Sequence, residues 1–363
     1  MSLTYIPAAK PQMGDDERAA VDRVMRSGMI AQGPEVAAFE VEFGDTLVGG
    51  RTCVAVSSGT AGLHLGLLAA GVGPGDEVIV PSFTFAATAN SVALTGATPV
   101  FADIDPATYC LDADSVAQAL TSRTVGIMPV HLYGHPADMT ALGELAAKHG
   151  VQIFEDAAQA HGANWRGVPV GAFGSFAMFS LYPTKNMTSG EGGMVSCATP
   201  EIVRKVRLLR NQGMEKRYEN EVVGFNARMT DLHAAIGRVQ LERLAARTAQ
   251  RRSNAAFLSA HLEGVGIPTV AEGAGHVWHQ YTIRIAENRD GFAAALASDY
   301  SVGSGVYYPI PNHELPSFGL KVDLPATARA CAEVLSLPVH PALTTEDLER
   351  IVVGVNAIAK AGA

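Results

Sequence analysis

The sequence predicts an α/β protein with a large, mostly parallel sheet that carries helices on both faces, followed by a smaller C-terminal α/β domain. From about residue 52 to residue 195, short β-rich runs alternate with helical stretches, which is typical of parallel strands joined by helices. A long amphipathic helix is predicted over residues 231–252, and beyond it the alternation changes. A chain of 363 residues is long enough for two or three domains. We therefore predict domains over residues 1–245 and 246–363.

The elements follow from these patterns in chain order. A first helix is predicted over residues 15–26 and is closed by Gly28. The seven strands of the large sheet are predicted at residues 53–56, 77–80, 98–102, 125–130, 151–155, 175–179 and 193–196. Helices are predicted between them at residues 61–70, 87–94, 113–120 and 139–148. In the smaller domain we predict strands over 281–285 and 302–307 and a final helix over 345–359.

Composition excludes several classes of protein. The net charge of −9 disfavours a nucleic-acid partner, because the phosphate backbone would be repelled. No apolar run is long enough to span a bilayer, and the N-terminus lacks the pattern of a signal peptide. The four cysteines form no CxxC pair, which fits a reducing cytoplasm. The histidine spacings match no metal-ligand motif, so no metal site is expected.

Chemistry is expected at the carboxyl ends of the parallel strands, where such sheets bind ligands. The first strand leads into Ser57, Ser58, Gly59 and Thr60 and then into a helix. Backbone N–H groups, close approach at Gly59 and the Thr60 hydroxyl would together form a phosphate cradle. The alternative is a simple Ser or Thr cap of that helix.

The strand over residues 151–155 is followed by Asp156. An acid at this position faces the ligand crevice, where it could pair with the protonated nitrogen of a pyridine ring. Gln159 could reach the oxygen of such a ring from the same side. The alternative is that Asp156 only caps the following helix.

Lys185 lies a few residues beyond another buried strand and is followed by the glycine-rich run 190–193. We expect the apolar neighbours and Pro183 to direct this segment inward. Desolvation would then lower the pKa of the Lys185 amine and make it nucleophilic, as a Schiff-base lysine requires. Ser180 could add a hydroxyl to the phosphate site. A further segment, residues 224–229, would on its own be interpreted as a loop before the long helix.

Taken together, these segments resemble the sugar aminotransferase family named after DegT, DnrJ and StrS. The resemblance runs from about Gly28 to Pro341. Its ordered motifs are AVSSGTAGLHL, GPGDEVIVPSFTFAATAN, GATPVFADID, MPVHLYGHPADM, FEDAAQAHGA, FSLYPTKNMTSGEGG, GFNARMTDLHAAIGRVQL and LSLPVHP. Any one of these motifs is a weak signal, whereas eight in order are specific.

The resemblance implies a fold type I aminotransferase that binds pyridoxal 5'-phosphate (PLP) and forms a homodimer with shared active sites. Lys185 matches the Schiff-base lysine, Asp156 the partner of the pyridinium nitrogen, and Gln159 the residue near the ring oxygen. Phosphate ligands are matched by Gly59, Thr60 and Ser180, and by Asn226, which is usually lent by the other subunit. Phe85 matches the aromatic residue against the ring. Candidate substrate contacts are His131, Tyr133, Arg228, Tyr307, Tyr308 and His313, although Tyr307, Tyr308 and His313 fit packing of the smaller domain equally well.

The implied reaction moves an amino group from glutamate or glutamine to a nucleotide-linked keto sugar. The leading hypothesis is the C4 ketone of a nucleoside-diphosphate 4-keto-6-deoxyhexose. A C3 ketone or a keto-cyclitol of the inosose type is the alternative, because Lys185 supports all three equally. A dehydratase is disfavoured, since relatives that dehydrate replace this lysine with histidine. A non-catalytic PLP-binding regulator is the alternative from another class.

The chain departs from the family pattern at two places. Ala227 stands where the family often has an aromatic residue, and Tyr307–Tyr308–Pro309 stands where His–Tyr–Pro is frequent. Both departures concern the identity of the sugar and not the cofactor.

Overall fold

The computed structural model describes residues 4–362, which form helices and strands in the alternation that the sequence predicts. The helices are α1 (Asp15–Ser27), α2 (Pro34–Leu47), α3 (Gly59–Ala69), α4 (Ala87–Leu94), α5 (Ala113–Ala119), α6 (Met139–His149), α7 (Pro200–Arg210), α8 (Asp231–His261), α9 (Arg289–Tyr300), α10 (Pro325–Glu333) and α11 (Thr345–Gly362). The strands are β1 (Cys53–Val56), β2 (Glu77–Pro81), β3 (Thr98–Ala102), β4 (Thr124–Ile127), β5 (Gln152–Asp156), β6 (Asn164–Trp165), β7 (Val168–Pro169), β8 (Phe176–Ser180), β9 (Gly193–Cys197), β10 (Ala274–Gly275), β11 (Tyr281–Arg284) and β12 (Val334–Leu337).

The large sheet has seven strands in the order β1-β9-β8-β5-β4-β2-β3. Strands β8, β5, β4, β2 and β3 pair in parallel, and β9 is antiparallel to both of its neighbours. The predicted mostly parallel, seven-stranded sheet is confirmed. Strands β1, β2 and β9 are buried along their whole length, as expected where helices cover both faces.

Separate hydrophobic clusters cover the two faces of this sheet. One cluster packs Leu63 and Leu67 of α3 against Phe154 and Phe176. The other packs Phe39 and Phe43 of α2 against residues that include Ala177, Phe179 and Leu241. The first helix ends as predicted, with Gly28 in the left-handed conformation at φ 73°, where a residue without a Cβ is favoured.

A further cluster holds the C-terminal part together. It joins the end of α8, the two-stranded sheet β11–β12, and helices α9 and α11. Ile6 packs into the same cluster and bridges Val302. Helix α8 runs without a break across the predicted domain boundary at residues 245/246, and the division into domains stays a prediction.

The prediction of a strand over residues 302–307 is wrong. Only isolated bridges occur there, between Val302 and Ile6 and between Gly305 and Ser336. Glycines at 303 and 305 weaken a strand, because they provide no side chain to pack. Helices α2, α7, α9 and α10 were not predicted. None of the helices in the described range is long and apolar enough to cross a membrane.

Candidate active site

A cavity of about 500 Å³ lies at the carboxyl ends of β1, β5 and β8. Its walls also include residues 8 and 9 of the N-terminal segment, part of α8, and residues that flank β11 and β12. Nine of the fourteen predicted site residues line it: Gly59, Thr60, Phe85, Asp156, Gln159, Ser180, Lys185, Tyr307 and Tyr308. The topology thus brings together residues that are up to 249 positions apart, from Gly59 to Tyr308.

The N-terminus of α3, where the sequence predicts an anion cradle, forms one wall. Ser58 caps α3 by accepting a hydrogen bond of 3.1 Å from the backbone N–H of Ala61. The first N–H groups of a helix have no partner within it, and the positive end of the helix dipole favours an anion there. A Cβ on Gly59 would lie 3.1 Å from the Ser180 Cβ. Glycine therefore keeps the backbone close to the Ser180 side chain. The Ser58 cap is observed, and the phosphate cradle stays a prediction that this geometry fits.

Asp156 ends β5 and is 5% exposed. Its carboxylate accepts hydrogen bonds from the Thr88 hydroxyl at 2.8 Å and from the backbone N–H of Ala158 at 3.1 Å. Burial raises the pKa of this carboxyl above its ordinary value, while the two hydrogen bonds and the Lys185 charge lower it. A cationic ring nitrogen in the cavity would offset the burial of the carboxylate.

Lys185 lines the same cavity. Burial lowers the pKa of its amine to about 8, and the charge of Asp156 raises it in part. The backbone is fixed on both sides of the lysine. The Lys185 N–H donates to the Tyr182 carbonyl at 3.0 Å, and the Asn186 amide donates to the Val277 carbonyl at 2.9 Å. An amine that has a lowered pKa and is carried by a well-ordered backbone is suited to attack a carbonyl carbon.

Another part of the cavity wall carries aromatic rings and an amide side chain. Gln159 accepts from the Tyr133 N–H at 2.7 Å and donates to the Tyr308 hydroxyl at 3.1 Å. The Phe85 ring is 59% exposed and its centroid lies 6.1 Å from that of Tyr308. An exposed aromatic ring at a cavity mouth offers a face for a planar ligand.

These groups fit a PLP-type cofactor. The cradle suits its phosphate, Asp156 its ring nitrogen, and Lys185 its aldehyde. When bound, PLP supplies an electrophilic carbon and a ring that accepts electrons.

Comparison with known proteins decides the family. The sequence profile of the DegT/DnrJ/EryC1/StrS aminotransferase family matches residues 11–356. This chain belongs to that family.

Two relatives and one solved structure show how close the similarity is. The chain is 41% identical over 342 residues to UDP-N-acetyl-3-dehydro-α-D-glucosamine 3-aminotransferase of Acidithiobacillus ferrooxidans, covering 93% of this chain and 92% of the other. It is also 41% identical over 355 residues to dTDP-3-amino-3,4,6-trideoxy-α-D-glucose transaminase of Streptomyces venezuelae, covering 96% and 93%. The structure of NtdA from Bacillus subtilis with bound cofactor PMP superposes with a TM-score of 0.91 at 30% identity, over 99% of this chain and 86% of that one. The predicted aminotransferase fold, the transaminase activity and the PLP/PMP cofactor are thereby confirmed.

Five predicted site residues of this aminotransferase lie outside the cavity wall. His131 is fully buried. Its Nε2 lies 3.2 Å from a carboxylate oxygen of Glu155, and its Nδ1 accepts a hydrogen bond of 3.0 Å from the Ala137 N–H. Tyr133 is buried and its hydroxyl donates to the Tyr307 carbonyl. The structure brings neither residue to the cavity, and their substrate contacts stay predictions.

The other three lie farther along the chain. Arg228 donates to the Asn211 side chain at 2.8 Å, and His313 is buried against the Ser82 hydroxyl at 2.7 Å. Asn226 is exposed to solvent, as a residue lent to another subunit would be. Their roles also stay predictions.

Sequence reasoning missed several residues of the aminotransferase site. Thr88 on α4 holds Asp156, and Arg251, His279, Gln280 and His340 line the cavity. Thr88 stands three residues after Phe85 in a motif that the resemblance already used, so it could have been considered. His340 also lies in such a motif, LSLPVHP. Arg251 and the adjacent pair His279 and Gln280 come from other segments, and no motif used here marks them. No group of three or more His, Cys, Asp or Glu side chains in the described part of the chain could hold a metal ion.

Proposed function

We propose that this aminotransferase moves an amino group from glutamate or glutamine to a ring ketone of a nucleoside-diphosphate hexose. The observation that carries the proposal is the pair Lys185 and Asp156 in one cavity with the anion cradle. A partly buried amine and a buried carboxylate, with pKa values displaced in opposite directions, support a catalytic site where they line one cavity.

Each residue then has a defined task. Lys185 would hold PLP through its side-chain amine, and the free amine would move a proton to and from the reacting carbon. A positioned base of this kind contributes roughly 10²–10⁴-fold to the rate. Asp156 keeps the ring nitrogen protonated, and the Thr88 hydroxyl and Ala158 N–H keep Asp156 oriented. The cradle at Gly59, together with Ser180, anchors the phosphate.

For the sugar, the C4 ketone of a 4-keto-6-deoxyhexose is our first candidate, carried over from the family resemblance. The C3 ketone is the second candidate, and the activities named for the two relatives support it, because both place the amino group at position 3. A cavity of about 500 Å³ is within the range of small-molecule sites.

The amino-donor half of the reaction is tested first. Protein loaded with PLP is mixed with glutamate or with glutamine, and the absorbance of the bound cofactor is followed in single turnover. Conversion to the PMP form supports the proposal. No conversion with any common donor would favour a non-catalytic regulator. Lys185→Ala should abolish borohydride fixation of the cofactor to the chain, whereas Lys205→Ala, at an exposed position of α7, should not.

The acceptor is tested with matched 3-keto and 4-keto forms of the same nucleotide hexose, and the carbon that carries nitrogen in the product is assigned by NMR. ¹⁵N-labelled glutamate separates amino transfer from dehydration, since a dehydratase would remove oxygen from the sugar without incorporating the label. Label at C4 supports the first candidate and label at C3 the second.

We also propose that Asn226 completes the site of a second copy in a homodimer. Support comes from its exposure beside the exposed apolar residues Val223 and Phe225, because an apolar surface of this kind favours contact with another chain. A Lys185→Ala copy mixed with an Asn226→Ala copy forms heterodimers with one intact site. Recovery of activity after subunit exchange supports sharing, and no recovery after demonstrated exchange contradicts it.

A further inference from the structure

Arg251 is a buried cation without a negatively charged partner among the residues that the structure describes. It lies on α8, is 7% exposed, and lines the cavity together with Lys185. Its Nη1 donates to the carbonyls of Trp278 at 3.1 Å and His279 at 3.3 Å. Among residues 4–361, no carboxylate lies within ion-pair distance of its guanidinium, and the largest charge effect on it is repulsion by Arg247.

Arg210 shows how this chain otherwise buries an arginine. It is 5% exposed, and its Nη1 contacts the Glu40 carboxylate at 2.6 Å and the Ala55 carbonyl at 2.6 Å. The Nε atoms of both arginines lack an acceptor, so charge compensation is what differs. A buried charge without a counter-charge is strongly unfavourable. Burial lowers the pKa of Arg251 only to about 10, and the group stays cationic at neutral pH.

Arg251 stands close to the reactive lysine through a short series of contacts. Its guanidinium bonds the His279 carbonyl, and the His279 ring lies 3.3 Å from the Asn186 amide oxygen. Asn186 is the next residue after Lys185, and both Lys185 and Arg251 line a second, smaller cavity as well. Lys185 and Arg251 thus line two cavities in common, and Gly59 is among the lining residues of the larger one alone. An anion held by Arg251 would therefore share a cavity with Lys185.

We propose that Arg251 binds a carboxylate of the amino donor, a proposal that rests on the amino transfer proposed above. The amino nitrogen of an amino acid is attached to the same carbon as its α-carboxylate. A donor whose nitrogen takes the place of the Lys185 amine must hold that carboxylate near the lysine. The diphosphate of the sugar fits less well, because it is attached at C1 and at least one ring carbon separates it from a ketone at C3 or C4.

The test separates the two halves of the reaction. Arg251→Gln, Arg251→Lys and the control Arg252→Gln are loaded with PLP. Arg252 is the neighbouring residue on α8, exposed, with its Nε on the His276 carbonyl at 3.1 Å. Three quantities are measured: the second-order rate constant with glutamate, the Kd of the unreactive dicarboxylate glutarate by calorimetry, and the rate constant of the PMP form with the keto sugar.

We expect Arg251→Gln to reduce the glutamate rate constant and to weaken glutarate binding about 10- to 100-fold, which is the effect of one charge-assisted hydrogen-bonded contact. The keto-sugar step should stay within about threefold of the unchanged protein. Arg251→Lys should recover part of the loss, because it restores the charge without the planar fork. Arg252→Gln should match the unchanged protein in all three measurements.

Several outcomes would overturn the proposal. An unchanged glutamate rate constant would do so, and so would a loss confined to the keto-sugar step, which would assign Arg251 to the diphosphate. Equal losses in both steps, or loss of the cofactor, would indicate a structural role. Glutarate binding does not depend on turnover. If the unchanged protein binds glutarate through Arg251 but converts no amino donor, the proposed function fails and the carboxylate site stands.

Discussion

Covalent capture of PLP by the cofactor-free protein should depend on pH with a midpoint near 8. Only the neutral amine attacks a carbonyl carbon, and burial lowers the pKa of Lys185 to about 8 from an ordinary value of about 10.4. The neutral fraction, and with it the capture rate, should rise as pH increases through the folded pKa. Above that pH the rate should level off.

The size of the effect follows from the two pKa values. At pH 7.5, a pKa of about 8 leaves about a quarter of the Lys185 amines neutral, against about one in a thousand for an unperturbed lysine. Desolvation of Lys185 should thus accelerate capture roughly 200-fold through its protonation state alone.

The assay follows bound-cofactor absorbance after stopped-flow mixing between pH 6 and 10. N-acetyl-lysine in the same buffers serves as the reference for the titration of PLP itself. Asp156→Asn is a second, directional control. The Asp156 charge raises the pKa of Lys185, so its removal should shift the midpoint below that of the unchanged protein. A midpoint at 10 or above, or one that moves upward in Asp156→Asn, would refute the desolvation argument.

Three further predictions concern the same site. Asp156→Asn should keep the fold and the melting temperature but reduce turnover at least about 100-fold, the equivalent of roughly 3 kcal/mol; near-normal turnover would contradict the electron-sink role. Gly59→Ala should weaken PLP binding by about tenfold, measured by equilibrium dialysis, because its Cβ would lie 3.1 Å from the Ser180 Cβ. The control Gly73→Ala should have no effect on PLP binding, because a Cβ there would have nothing within 4 Å. Lys185→Met should raise the unfolding free energy of the cofactor-free protein by up to about 3 kcal/mol below pH 8, because it removes a charge that burial disfavours. The gain should disappear as the pH approaches about 10.4, where an ordinary lysine loses its proton. Urea unfolding that shows no gain at pH 7 would contradict this prediction.

The sheet could be predicted because its strands are short, apolar and evenly separated by helices. Strand β3 has the predicted bounds, and β5 and β8 differ from prediction by only one residue at each end. Their ends place Asp156 and Ser180 at the cavity, as the rule for parallel sheets requires.

All four missed helices had a usable signal. Helices α2, α7 and α10 each begin with proline at the first helical position, where its fixed φ suits a helix and its missing N–H removes no hydrogen bond. Helix α9 begins after Asn288, whose side chain caps the helix by accepting a hydrogen bond of 3.2 Å from the Gly291 N–H.

His131 shows a different limit. Successive residues of a strand point to opposite faces, so Glu155 points away from the cavity that Asp156 faces. Glu155 accepts hydrogen bonds from the N–H groups of Gly171 at 2.7 Å and Gly174 at 2.8 Å, and it lies against His131. The sequence predicts that the side chains of residues 155 and 156 point to opposite faces of the sheet. The burial of His131 against Glu155, however, depends on tertiary packing.

Arg251 could not have been found from sequence, because its environment comes from segments far apart in the chain. Burial is the largest cause of the displaced pKa in Asp156, Lys185 and Arg251 alike, so the protein carries each charged form at an energetic disadvantage. Asp156 and Lys185 offset each other only in part, and Arg251 has no counter-ion among the described residues. Three ligand groups would offset the cost of burying these charges: a ring cation at Asp156, an aldehyde at Lys185 and a carboxylate at Arg251. A cavity whose charges are balanced only by its ligands is less stable when empty, which is the usual consequence of a preorganised active site.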